Sequence, residues 1–204
     1  MISIQSPLKQ VPLEELRPTQ MTVGYHEVAA KRRDWARLEK SKRSAAMRAS
    51  FFPAVCGPRK RYYILDHHHE ALALAQEHAD RVQVGVIKDL SKLSKDSFWA
   101  YLDHYRWVHC YDVQGRRRPF DAMPKRFEDM RDDPYRSLAA QVRDGGGYAR
   151  SDTPYLEFLW ANFLRDRIPA ARLKADPEAA LSKALELARS RAAAHLPGWC
   201  KSKP

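Results

Sequence analysis

Cysteine is scarce: the chain has three in 204 residues, Cys56, Cys110 and Cys200, an odd number set far apart. That argues against a disulfide framework and a Cys-type zinc site and fits a reducing, cytoplasmic setting. No run of about 18 apolar residues occurs, so no membrane-spanning helix is expected. The opening Met1-Ile2-Ser3-Ile4-Gln5 lacks the basic start and apolar stretch of a secretion signal. Internal repeats and low-complexity tracts are missing. Gly145-Gly146-Gly147 is followed by Tyr148 rather than Gly-Lys-Ser/Thr, so it is a turn between helices and not a Walker loop. Acidic residues are in deficit as well: 25 Asp and Glu stand against 36 Lys and Arg, a net charge of +11. Such a surplus favours polyanionic partners, namely phosphates, nucleotides or nucleic acid.

What is present sets a frame. An apolar fraction of 44% supports a real core and excludes wholesale disorder. The charge is local: between Lys31 and Arg61 there are 11 Lys and Arg against only Asp34 and Glu39, and a second knot is Arg116-Arg117-Arg118. Read blandly, this is a solvated basic helix face; read sharply, it is an electrostatic footprint for phosphates.

Periodicity divides the chain into an α/β half and a helical half. Gln10–Leu13 reads as a strand that Pro12 confines to an edge, and 16–19 as a turn. A helical pattern runs from Gly24 to Leu38 and a second piece covers 44–49. Phe51–Cys56 and Arg61–Leu65 are strands about the turn Gly57-Pro58-Arg59-Lys60. Helix follows over 70–78, the alternating strand Arg81–Ile87 after it, then a helix from Lys95 capped by Ser94. Trp107–Tyr111 is a further candidate strand. Beyond Gly115, Asp133-Pro134, Thr153-Pro154 and Asp176-Pro177 each pair an N-cap with an N1 proline and open helices near 134–143, 154–165 and 177–194. Aromatic stripes at 98–102 and 155–163 have helical spacing and read as core. The expected domains are therefore an α/β core over 1–115, a helical extension over 116–196 and a loose tail over 197–204.

The junction at Asp66 concentrates chemistry. Strand Tyr62-Tyr63-Ile64-Leu65 ends on Asp66-His67-His68-His69-Glu70 and turns into a helix. Such a junction presents unpaired N–H groups and a positive dipole end, which suit an anion. A single core histidine is the default reading of His78, His104 and His195. Three consecutive histidines beside an aspartate are instead a functional cluster. Two chemistries fit. Asp66 with His68 or His69 has the donor types of a transition-metal site, although neighbours on a helix point about 100° apart and all three imidazoles cannot share one ion. Alternatively, imidazoles and N–H groups hold a phosphate while one histidine acts as acid or base.

A family resemblance then emerges. Leu13-x-x-Leu16-x-Pro18, followed by Tyr62–His69 and helix Ala71-Leu72-Ala73, resembles the ParB/sulfiredoxin superfamily. Gln20-Met21-Thr22-Val23-Gly24-Tyr25-x-Glu27-Val28, Asp66-His67-His68-His69, Gly115–Phe120, Asp133–Leu138 and Gly146–Ala149 are similar to its ParB-like nuclease family, over roughly residues 10–168. The resemblance implies a mixed α/β fold whose strand–turn–helix motif cradles nucleotide phosphates. Relatives are CTP-dependent DNA clamps, ATP-dependent sulfinic acid reductases or free-serine kinases. They carry Gly at the position of His67 and Arg at that of Glu70, so close backbone approach and a phosphate clamp are lost here. Lys31, Arg32, Arg61, Arg116 and Arg117 are available as substitute cations, with His67 beside them. No Cys adjoins the histidines, which opposes a reductase. No helix–turn–recognition-helix pattern follows Gly115, which opposes a partition clamp. Glu27 falls in the segment that supplies a catalytic carboxylate in the serine kinases.

Two functions remain open. One is phosphate chemistry, a phosphotransferase or nuclease with ATP or CTP and a divalent metal as cofactors: Asp66 positions the metal or orients an imidazole, His68 or His69 is acid, base or ligand, Glu27 is a candidate general base, and His68→Ala should abolish turnover without loss of stability. The other is a non-catalytic DNA-binding or nucleotide-sensing module.

Overall fold

The computed structural model describes residues 7–39, 41–43, 45 and 51–200. Of the helical piece expected over 44–49 only residue 45 is described, and the tail beyond Cys200 lies outside the described residues. Contacts divide the chain into two compact units: the chain up to Val23 with Glu27–Asp132, and Gly24–His26 with Asp133 onward.

The first unit is built on a five-stranded mixed sheet of order β1-β6-β4-β5-β2. Its strands are β1 (Lys9–Pro12), β2 (Leu16–Arg17), β4 (Phe52–Cys56), β5 (Tyr62–Ile64) and β6 (Arg81–Asp89). Pro12 does sit on an edge strand, where its missing N–H costs no ladder bond. β4 and β5 pair antiparallel and β4 and β6 pair parallel. The segment expected as a turn at 16–19 differs: Leu16 and Arg17 form β2, parallel to β5, with Leu16 opposite Tyr62 and Arg17 opposite Tyr63. A second, two-stranded sheet pairs β3 (Thr22–Val23) with β7 (Arg131–Asp132). β7 and the 3-10 turn Phe127–Asp129 therefore place residues 116–132 with the α/β unit, whose end falls at Asp132 rather than Gly115. Trp107–Tyr111 makes only isolated bridges, Gln20 to His109 and Tyr111 to Arg117, and is not a strand.

Strand alternation sorts the core. Phe52, Ala54, Val82 and Val84 face a cluster that includes Leu72 of α2 (His68–Gln76) and Val28 of α1 (Tyr25–Arg37). Val55 faces a second cluster with Phe98, Trp99 and Leu102 of α3 (Lys95–His104), a helix that Ser94 caps by accepting the Ser97 N–H at 3.2 Å. The β4–β5 turn is tight against α3. A Cβ on Gly57 would lie 2.6 Å from the Tyr63 ring and 2.8 Å from the Phe98 ring. Gly57→Ala is expected to destabilise the chain by roughly 1–3 kcal/mol through overpacking, read as a lowered urea midpoint at unchanged m-value. An unchanged midpoint would contradict that packing.

The second unit is helical: α4 (Pro134–Asp144), α5 (Leu156–Arg165), α6 (Ala170–Ala175) and α7 (Pro177–Arg189). Asp133 and Asp176 cap α4 and α7 as their sequence pairs imply. Thr153 does not cap α5. Its N–H donates to Ser151 Oγ at 3.3 Å, and a left-handed Tyr155 (φ 59°) intervenes before the helix begins. Small Ala180, Ala184 and Ala188, one turn apart along α7, are fully buried and join Trp160 in one core. Pro197–Cys200 is not loose. Trp160 Nε1–H donates to Pro197 O and Trp199 Nε1–H to Ser190 O, both at 3.0 Å.

Candidate functional site

The three histidines follow one another in sequence but occupy three environments, as the 100° rotation per helical residue demands. His67 precedes α2 in a left-handed conformation (φ 64°, ψ 27°) and is exposed. It keeps the backbone shape for which glycine is suited, at a strain of about 1 kcal/mol for a side-chain-bearing residue. Its N–H donates to Asp66 Oδ1 at 2.6 Å, so the exposed Asp66 locks the turn.

His68 turns inward and is 2% exposed. Its Nε2 accepts the Thr19 backbone N–H at 3.0 Å. The same Thr19 donates its hydroxyl to Ile64 O at 2.7 Å, and its carbonyl accepts the His109 N–H. With Nε2 as acceptor, the neutral ring carries its proton on Nδ1, where no acceptor lies in reach among the described residues. Burial first, then the neighbouring His67 and His109, lower its pKa from 6.5 to about 3. The roles expected of His68 as acid, base and metal ligand are thereby corrected. Its acceptor atom is committed to Thr19 and the ring stays neutral, so His68→Ala is a folding variant. The core histidines are His68 and His109, whereas His78, His104 and His195 are all exposed.

His69 points along α1. Its Nε2 lies 3.8 Å from Glu27 Oε1, with the two side chains 15% and 23% exposed. One turn further along α1, Lys31 Nζ is 3.5 Å from Glu70 Oε2, and His67 Nδ1 is 3.9 Å from the same oxygen. Lys31 thus brings a cation beside Glu70. Arg32 Nε pairs with Glu77 at 2.8 Å, beyond the C-terminal end of α2. At the other end of the helix, α2 has no side-chain cap, and the positive end of its dipole lies there.

The structure gathers Glu27, Lys31, Asp66, His67, His69 and Glu70 at one helix start. It leaves three other expected residues elsewhere. Arg61 precedes β5 while Asp66 follows it, a separation of roughly 15 Å at the rise of a strand. Arg117 donates to Asp103 at 2.7 Å, and the Arg116 N–H donates to Asp112 Oδ1 at 3.0 Å, in a loop beside α3. Among the described residues, no three His, Cys, Asp or Glu side chains converge as metal ligands. The Asp66–His68 pair does not form a site because His68 is buried. Thr19 and His109, which position α2, escaped the sequence reading. The Pro18-Thr19-Gln20 step was the available signal, but the partner of Thr19 lies 49 positions away.

A mixed α/β unit whose sheet delivers an uncapped helix start lined by imidazoles, carboxylates and a lysine defines the class. The chain belongs to the ParB-like nuclease family: the family model described as "Putative ParB-like nuclease" matches residues 9–166. It is similar to protein Atu1540 from Agrobacterium tumefaciens, whose crystal structure is 41% identical and agrees at a TM-score of 0.90 over 96% of this chain and 97% of that one. No curated protein matches the chain. Among the described residues, no helix is long and apolar enough to cross a membrane.

Proposed function

We propose that the start of α2 binds a phosphate of a nucleotide or nucleic acid and that the His69–Glu27 pair there cleaves a phosphodiester. The observation that carries this reading is the Glu27–His69 approach of 3.8 Å beside the uncapped helix start. The family's nuclease description and the net charge of +11 support nucleic acid as the polyanion. In this reading neutral His69 takes a proton from the attacking water as the P–O bond to the leaving sugar oxygen breaks, that oxygen takes a proton from solvent, and Glu27 orients the ring and stabilises the imidazolium that forms. The α2 N–H groups and Lys31 face the charge that develops on phosphorus oxygens. A hydrogen bond tightening from 3.8 Å on substrate binding is usual for such pairs.

The test is cleavage of end-labelled single- and double-stranded DNA and RNA. His69→Ala should reduce it about 100-fold or more, and Glu27→Gln about 10- to 100-fold, with melting temperatures near that of the parent. Full cleavage by His69→Ala would refute the assignment. A second reading is favoured by the carboxylates of Asp66 and Glu70, which oppose close phosphate approach: a DNA-binding or nucleotide-sensing module without chemistry. It predicts binding without cleavage. For DNA, log K would then fall with log salt by about 0.9 per phosphate neutralised. For a nucleotide, CTP or ATP would raise the melting temperature.

A further inference from the structure

At the opposite end of β5 from Asp66 lies a cavity of about 430 Å³ that the proposed site does not use. Three arginines from separate segments line it: Arg17 of β2, Arg61 just before β5 and Arg126 just before the turn Phe127–Asp129. Its apolar wall includes Leu13, Ala75 and Ala79. Glu14 and Glu128 also line it, leaving the cationic groups in excess.

We infer that this cavity is a binding site for a small organic phosphate monoester, with the dianionic phosphate held by Arg17, Arg61 and Arg126 and the organic part against the apolar wall. Three guanidinium groups gathered in one cavity repel one another, and a dianion between them removes that repulsion. The electrostatics agree: burial, and next the charge of Arg61, hold the Arg17 guanidinium below its ordinary value, with Arg126 acting in the same direction. Arg17 is anchored from behind, because its Nη1 donates to Glu14 O at 2.6 Å and Leu16 O at 2.7 Å. That fixes the plane of the fork, the geometry in which arginine grips phosphate oxygens in pairs. Arg126 reaches Glu128 only at 3.3 Å in an exposed pair, which an incoming phosphate can exchange at little cost. The volume lies in the range of small-molecule sites and exceeds what a bare phosphate fills. The proposal stands independently of the α2 site.

The experiment is isothermal titration of the full chain with two non-nucleotide monoesters, phenyl phosphate and 1-naphthyl phosphate, and with inorganic phosphate. Parallel titrations use Arg61→Gln, Arg126→Gln and His69→Ala, each checked for folding by circular dichroism. We expect saturable binding of phenyl phosphate or 1-naphthyl phosphate, tighter than that of inorganic phosphate. Arg61→Gln and Arg126→Gln should each weaken it at least tenfold, and His69→Ala should leave it unchanged. Three results overturn the proposal: no saturable binding of either monoester, binding no tighter than that of inorganic phosphate, or binding that His69→Ala abolishes while the arginine variants retain it. The last would assign the ligand to the start of α2.

Discussion

Acidification from pH 7.5 to pH 5 is expected to remove about 2 kcal/mol of folding stability through His68 alone. In the folded chain His68 is held neutral, with a pKa of about 3 against an ordinary 6.5. Above pH 6.5 neither the folded nor the unfolded form protonates it, and its contribution is intact. Below pH 6.5 the unfolded chain takes up a proton that the buried ring refuses, so stability falls steadily as the pH drops towards 3. The measurement is urea unfolding at the two pH values for the parent and for His68→Gln, which keeps an acceptor for the Thr19 N–H but cannot titrate. All other histidines are common to both proteins, so the difference isolates this ring. The parent should lose about 2 kcal/mol more than the variant over that interval. Equal losses would mean that His68 is accessible to solvent protons, and the acid–base role set aside above would return.

Breaking the ion pair at the start of α4 should cost still more. Asp133 has a side chain 2% exposed and does two things at once. Its Oδ1 accepts the N–H groups of Tyr135 and Arg136 at 3.0 and 3.3 Å, capping the helix, and its Oδ2 accepts Arg165 Nη2 at 2.6 Å. Arg165 also lies over the Tyr135 ring at 5.1 Å. Losing a cap alone costs about 1 kcal/mol. Asp133→Ala in addition strands a largely buried guanidinium, and the expected loss is about 3–5 kcal/mol. The double variant Asp133→Asn with Arg165→Met keeps a capping oxygen and removes the stranded charge, so it should recover most of that loss. A double-mutant cycle by chemical denaturation reads this coupling directly. Additive single effects would show that the pair contributes only as a cap.

Much of the local architecture was legible in the sequence. The alternation in Val82, Val84 and Val86 marks β6, Ser94 marks the start of α3, and Asp133-Pro134 and Asp176-Pro177 mark α4 and α7, because each signal acts within a few residues of itself. The errors share a cause. Leu16-Arg17 carries turn residues beside it, and only its pairing with Tyr62-Tyr63 makes it a strand. Thr153-Pro154 has the composition of a cap, but a left-handed Tyr155 displaces the helix. Trp107–Tyr111 has strand composition without a neighbour to complete a ladder.

The histidine cluster shows the same division. Its residue types and its strand-to-helix position were set by the sequence, as was the surplus of positive charge that points to phosphates. Which imidazole meets water was not. His68 is buried because Thr19, 49 residues earlier, lays its N–H against that ring, and His69 is paired because α1 carries Glu27 past it. The same folding leaves Arg61 away from Asp66 and gathers it with Arg17 and Arg126 instead. Periodicity and capping are local and can be read along the chain; burial and charge pairing depend on contacts between distant segments, and those exist only once the sheet has formed.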